Sequence, residues 1–378
     1  MLPYLIVFFL SILFTYLAQE SDKHNKKLFF FVFSAFAILL PSLLAGFRDS
    51  GVGTDTEIYV DNVWRTIKRI NSFDDFYRIY KQEKFDDIEF GYLLLNFIGS
   101  RFGESVNIIY FISSFIITLL IYLTAYDNRF RASMAIVMFI YLFGYFNLSL
   151  NIVRQSLAMA VGIYCFKYVE KRSWIKIIIS LLIIRTFHNT GIFYVLFWGT
   201  YFISNKKYTV KPVILLGTLA VVYFIFIYFD FIILYAVTTG LLPKKFMYYL
   251  SGETLDYFWH FATQFLLFVS MAFMLLTYIK KEEFNEYVSY TYLKLLGSIL
   301  ILTSFLSEWS FRISYYFLWV IDIVFLPRIL YTYRKDSRVL YIVVVVAILS
   351  LVLATWIKFI VIDNENETIP YRSSILEL

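Results

Sequence analysis

The chain is poor in the residues from which most soluble catalytic and metal sites are built. It holds one cysteine, Cys165, and three histidines, His24, His188 and His260. A lone cysteine inside an apolar run excludes a disulfide framework and a cysteine-based metal site. Three scattered histidines argue against a multi-histidine cluster, so neither metal nor cofactor is expected. Charge is scarce too, at 16% of residues. No internal repeat, low-complexity tract or separate soluble domain is visible. Gly51-x-Gly53 is not a phosphate loop, because no Gly-Lys-Ser/Thr follows.

What is present is apolar surface: 60% of the 378 residues are hydrophobic and the mean hydropathy is +0.69. A membrane-crossing helix takes about 20 apolar residues. About a dozen runs approach that length, at 3–19, 28–46, 105–126, 133–150, 154–169, 174–187, 189–204, 212–235, 259–279, 288–306, 311–331 and 339–361. The expectation is an all-α polytopic membrane protein with about 12 transmembrane helices, its residues 1–378 forming one membrane domain. The first run lacks a small-residue cleavage site and leads into further spans, so it reads as an anchor. The 42 Phe and 32 Tyr suit lipid-facing packing and interfacial belts, and a tyrosine-rich cavity also suits sugar faces.

The net charge of +6 calls for no nucleic acid, since the basic residues sit in short loops as the positive-inside rule dictates. Those loops are 21–27, 127–132, 167–176, 205–211, 280–287 and 328–338, the last with Arg328, Arg334, Lys335 and Arg338. All six share one side only if 90–103 does not cross, and that segment is too short for a span. It is expected to be re-entrant or interfacial. Both termini then face outward, as do a large loop at 47–89, a second at 236–258 and a tail at 362–378. The region around Arg185 and His188, between two short runs, is expected to dip into the membrane as a broken pair.

Every unusual polar residue at a span boundary opens to that outer face, including Arg48, Asp49, Asp55, Glu57, Glu89, Asn151, Arg154, Gln155, Arg185, His188, Glu308, Arg312, Tyr371 and Arg372. One extracytoplasmic site accounts for this better than scattered snorkelling residues. Within 47–89, Thr54 or Asp55 is a plausible helix N-cap, and apolar residues from Ile58 to Tyr80 recur at roughly helical spacing, predicting amphipathic helices at the outer surface.

Five polar pieces stand in order: Gly46-Phe47-Arg48-Asp49 with Val52-Gly53-Thr54-Asp55-Thr56 and Tyr59; Glu89-Phe90-Gly91-Tyr92 with Asn96; Asn151-x-x-Arg154-Gln155-x-x-Ala158; Phe187-His188-Asn189-Thr190-Gly191; and Pro370-Tyr371 after Asn364 and Asn366. Each is weak alone. Together, from about residue 46 to the C-terminus, they resemble the EpsG-like family of exopolysaccharide polymerases, relatives of the Wzy-type O-antigen and capsule polymerases. The resemblance implies an architecture similar to multi-span lipid-linked-sugar glycosyltransferases (GT-C-like). It also implies an activity: joining oligosaccharide repeat units carried on undecaprenyl pyrophosphate, at the outer face of the inner membrane, without nucleotide sugar or metal. A chain-length regulator is an implied partner.

Such a reaction places growing negative charge on a pyrophosphate, which fixed guanidinium groups stabilise. Arg154, Arg48 and Arg312 are the candidates, each with helix-end snorkelling or carboxylate pairing as the plain alternative. The acceptor hydroxyl needs a base in reach, for which Asp55, Glu89 and His188 are the candidates. Asn151, Gln155, Asp49, Tyr59 and Tyr371 are expected to bind sugar or support the site. Asp55 also reads as an N-cap, and His188 as a structural histidine. A flippase for the same lipid-linked unit and an outer-face ligase remain competing readings.

Overall fold

Wherever a described residue takes regular structure, that structure is helical. The computed structural model describes residues 1–54, 56–81, 85, 88–204, 211–240, 247, 257–278, 281–305, 311–334 and 338–378. Contacts cluster into two compact units, Met1–Ile192 with Val345–Leu378, and Phe193–Val344.

In the first unit, α1 (Leu2–Lys23) begins at a proline placed where its missing N–H is not needed. A turn with Asn25 at φ 55° reverses the chain into α2 (Lys27–Gly46). After the loop at 47–89, α5 (Phe90–Gly99) and α6 (Asn107–Asp127) follow; α6 packs against both α2 and α9 (Val153–Glu170). Between them, residues 133–150 do not form one span. Helix α7 (Met134–Gly144) stops where Tyr145 leaves helical geometry, and the short α8 (Phe146–Asn151) stops at Ile152. Arg154 therefore stands in the first turn of α9.

The loop at 47–89 forms a π-helical turn (Thr56–Asp61), α3 (Asn62–Ile67) and α4 (Phe73–Lys81). Its apolar residues Val63, Ile67, Ile70 and Phe76 close on Leu93 of α5. The periodic face seen in sequence is thus spent on a local core. At ten residues, α5 is about 15 Å long, half a bilayer core. Helix α10 (Trp174–Phe187) ends at an extended His188, a 3-10 turn follows (Asn189–Ile192), and α11 (Phe193–Ser204) begins the second unit. The expected break at His188 is present.

The second unit continues with α12 (Lys211–Thr238), α13 (Phe258–Tyr278), α14 (Lys281–Ile301), α15 (Arg312–Val320) and α16 (Leu326–Tyr333), the last two joined by a π-helical turn at Ile321–Phe325. Helix α17 (Arg338–Trp356) leads back to the first unit, where Trp356 donates to Asn147. Among the described residues, seven helical stretches are long and apolar enough to cross a membrane. The protein is a multi-pass helical membrane protein.

Candidate active site

The first, third and fifth sequence motifs meet through the backbone. Gly53 sits at φ +106°, which only glycine adopts freely, and a Cβ there would lie 3.4 Å from the Leu150 carbonyl. Its N–H donates to Glu367 at 3.0 Å, and Asn151 reaches Asn366 at 3.5 Å. The tail is held in turn. Asn364 bonds both the N–H and the carbonyl of Ile369, Tyr371 donates to the Leu44 carbonyl, and Asp49 accepts from the Ser374 N–H and hydroxyl. Asp49 and Tyr371 thus act here as struts that fix the tail against the first motif.

The second, third and fourth motifs meet at Glu89. It precedes α5 with extended backbone, and its two carboxylate oxygens diverge to different partners. One accepts from Arg154 Nη1 at 2.6 Å and the other from the Asn189 N–H at 2.9 Å. This needs α5 to approach the end of α10 closely. A Cβ on Gly91 would lie 2.5 Å from Thr186 Oγ1 and 2.8 Å from its carbonyl, so a side chain there has no room. The Arg154 guanidinium also lies 4.8 Å from the ring centre of Tyr59, a cation–π distance.

Arg154 sits where the backbone N–H groups of α9 begin, so a cation and the positive end of a helix dipole coincide. That combination favours an anion. Glu89 supplies one, and the Arg154 side chain stays 14% exposed. Beside it, His188 Nδ1 faces the Thr190 N–H at 3.2 Å and the Thr190 hydroxyl at 2.7 Å. Gln155 is buried in the same first turn of α9.

Arg48 occupies a different environment, 1% exposed. Its guanidinium stacks 4.4 Å from the ring centre of Tyr110, and Tyr4, Tyr92 and Tyr371 also act on its charge. Nε and Nη1 make no hydrogen bond among the described residues. Burial pushes its pKa down while the tyrosines hold it up. Arginine stays charged regardless. Burial likewise pushes the Tyr371 phenol up to about 12. The Tyr110 hydroxyl donates to Asp61, which also binds Ser50. Contact between Arg48 and a pyrophosphate requires this cage to open.

A family model describing the EpsG family matches residues 31–373. The chain belongs to the EpsG family. The resemblance read from the ordered motifs is thereby established, and it extends further toward the N-terminus than those motifs did. Membership supports a polysaccharide polymerase role in general terms. The chain matches no curated protein and no solved structure.

Among the sequence-derived candidates, the first unit gathers Arg48, Asp49, Tyr59, Glu89, Asn151, Arg154, Gln155, His188 and Tyr371. Arg312 opens α15 in the second unit, and Asp55 and Glu308 lie outside the described residues. Sequence reasoning missed Asp61, whose place in a charged loop gave no signal. It also missed a buried polar cluster in the second unit. Lys294 of α14 pairs with Asp322 of the π-helical turn and donates to Gln264 of α13. Arg328, read from sequence as a loop residue, is 4% exposed on α16 and donates to Tyr290, which donates to Glu286. The signal was there: a lysine and an aspartate within otherwise apolar runs.

Proposed function

We propose that the chain is a membrane glycosyltransferase that polymerises undecaprenyl-pyrophosphate-linked oligosaccharide repeat units at the outer face of the bacterial inner membrane, yielding O-antigen, capsule or exopolysaccharide. The observation that carries this reading is the Glu89 bridge between Arg154 and the Asn189 amide. In it Glu89 holds, in the free enzyme, part of the site a pyrophosphate oxygen takes when bound. The acceptor hydroxyl attacks the anomeric carbon as the pyrophosphate leaves, and Arg154 stabilises the charge that develops. Neither metal nor cofactor has a role. Both termini face outward, the overall architecture is GT-C-like, and a chain-length regulator is the partner that would set polymer length. A ligase would use the same chemistry with a different acceptor lipid. Purified protein given the lipid-linked repeat unit alone should produce a ladder of polymer on a gel; single-unit transfer to a different lipid would mark a ligase.

The flippase reading has one observation in its favour, the Lys294–Asp322 pair within helices apolar enough to span. Intramembrane charges of this kind mark translocation paths in many transporters. Fluorescent lipid-linked oligosaccharide crossing a reconstituted bilayer, with no ladder, would favour it.

A further inference from the structure

The bend between α3 and α4 carries more positive charge than its place in the chain requires. Arg65, Lys68, Arg69, Arg78 and Lys81 stand there against Asp74 and Asp75, and all five cations are exposed. The loop at 47–89 is expected outside, where the positive-inside rule gives no reason for them. Two of the cations, Arg69 and Arg78, line an open groove of about 360 Å³ with Ile70, Asn71, Asp75 and Ile79. That volume falls within the roughly 300–1,000 Å³ of small-ligand sites.

The groove is held in shape by its surroundings. Ile70 is buried in the local core beneath it. Arg101, just past the end of α5, donates to the Ile70 carbonyl and fixes the bend from one side. Ser72 fixes it from the other, accepting from the Asp75 N–H at 3.1 Å and donating to the Asp75 carboxylate at 2.7 Å as α4 begins. Asp75 also holds Arg78. With that carboxylate engaged, the groove presents the Arg69 guanidinium, the Asn71 amide and the rest of the Arg78 guanidinium. A surface so rich in donors suits a ligand with a carboxylate and hydroxyls, lying over isoleucine.

Helix α4 also indicates which way the groove opens. At roughly 100° per residue, Asp75, Arg78 and Ile79 fall on one side of the helix and Phe73, Tyr77 and Tyr80 on the opposite side. Those three aromatics are exposed. An amphipathic helix of this kind lies at a bilayer surface with its aromatic side toward lipid. The groove then opens to water, away from the headgroups.

We infer that this groove binds the glycan of the lipid-linked substrate, several sugars away from its pyrophosphate, and that it takes a sugar bearing a carboxylate. This occupant rests on the polymerase reading. Glu89 and Arg101 stand at opposite ends of α5, whose ten residues span about 15 Å. An oligosaccharide of several sugars bridges that distance. A substrate with its pyrophosphate at the Glu89 end thus lays its outer sugars against the bend that Arg101 holds.

The test uses the full chain in phosphatidylcholine nanodiscs. Calorimetric titration compares oligogalacturonate, an acidic glycan, with a neutral malto-oligosaccharide of equal length. The acidic chain should bind about tenfold or more tighter than the neutral one, and added salt should weaken it. Arg69→Ala combined with Arg78→Ala should weaken the acidic chain about tenfold or more, with thermal unfolding nearly unchanged because both side chains are exposed. Equal binding of the two chains, binding of neither, or a double variant that binds like wild type overturns the inference. So does a double variant that loses only attraction to phosphatidylglycerol vesicles, which would make the groove a headgroup site. Failure of the polymerase reading looks different. A wild type that binds oligogalacturonate through Arg69 and Arg78 but forms no ladder from the lipid-linked repeat unit overturns that reading, and leaves an acidic-glycan site in place.

Discussion

Two buried ion pairs in this protein sit in contrasting surroundings. Arg154–Glu89 keeps 14% and 7% of its side-chain surface exposed, whereas Lys294–Asp322 keeps 0% and 2%. The first joins loop and helix ends, with a backbone amide and an aromatic ring as further partners. The second joins helix interiors, with Gln264 as a further partner of Lys294. A sealed pair must be satisfied from within, because each lost partner strands a charge in a low-dielectric interior. An edge-open pair can exchange one anion for another at far lower cost. The difference separates a charge enclosed among side chains from a charge that solvent still reaches.

The comparison breaks first at the sealed pair. Lys294→Met should destabilise the purified protein by about 3–5 kcal/mol in thermal unfolding, and Lys294→Met with Asp322→Leu should regain most of that loss. A neutral single variant would show that the pair is not sealed. At the open pair the effect should fall on activity. Arg154→Ala should cut polymer formation by about 10²–10³-fold with membrane protein level unchanged. Normal polymer lengths in cells carrying that variant would reduce Arg154 to a helix-end marker. Gly91→Ala tests the open pair indirectly. The added methyl meets Thr186 on both side chain and carbonyl. It should cost about 1–3 kcal/mol and displace Glu89, lowering activity less than Arg154→Ala does.

Sequence made the long apolar helices legible, since α1, α2, α6 and α13 follow directly from runs of the right length. It also revealed the motif set, because polar residues at span boundaries stand out against apolar neighbours. What it hid were features made by tertiary contact. The break at Tyr145, where the backbone leaves helical geometry, carries no proline to announce it. Arg328 looked like a loop cation because it lies near Arg334 and Lys335 in sequence; its burial depends on Tyr290 of another helix. The division between Arg48, caged by tyrosines, and Arg154, open at its edge, needed the fold, for both stand in similar polar motifs.

The central claim is that Arg154 exchanges Glu89 for a pyrophosphate. Equilibrium binding of undecaprenyl pyrophosphate to purified wild type and to Arg154→Ala tests it most directly. Loss of a charge-assisted contact of about 1.5–3 kcal/mol should weaken Kd by roughly 10- to 150-fold. An unchanged Kd in a folded Arg154→Ala protein would contradict the account.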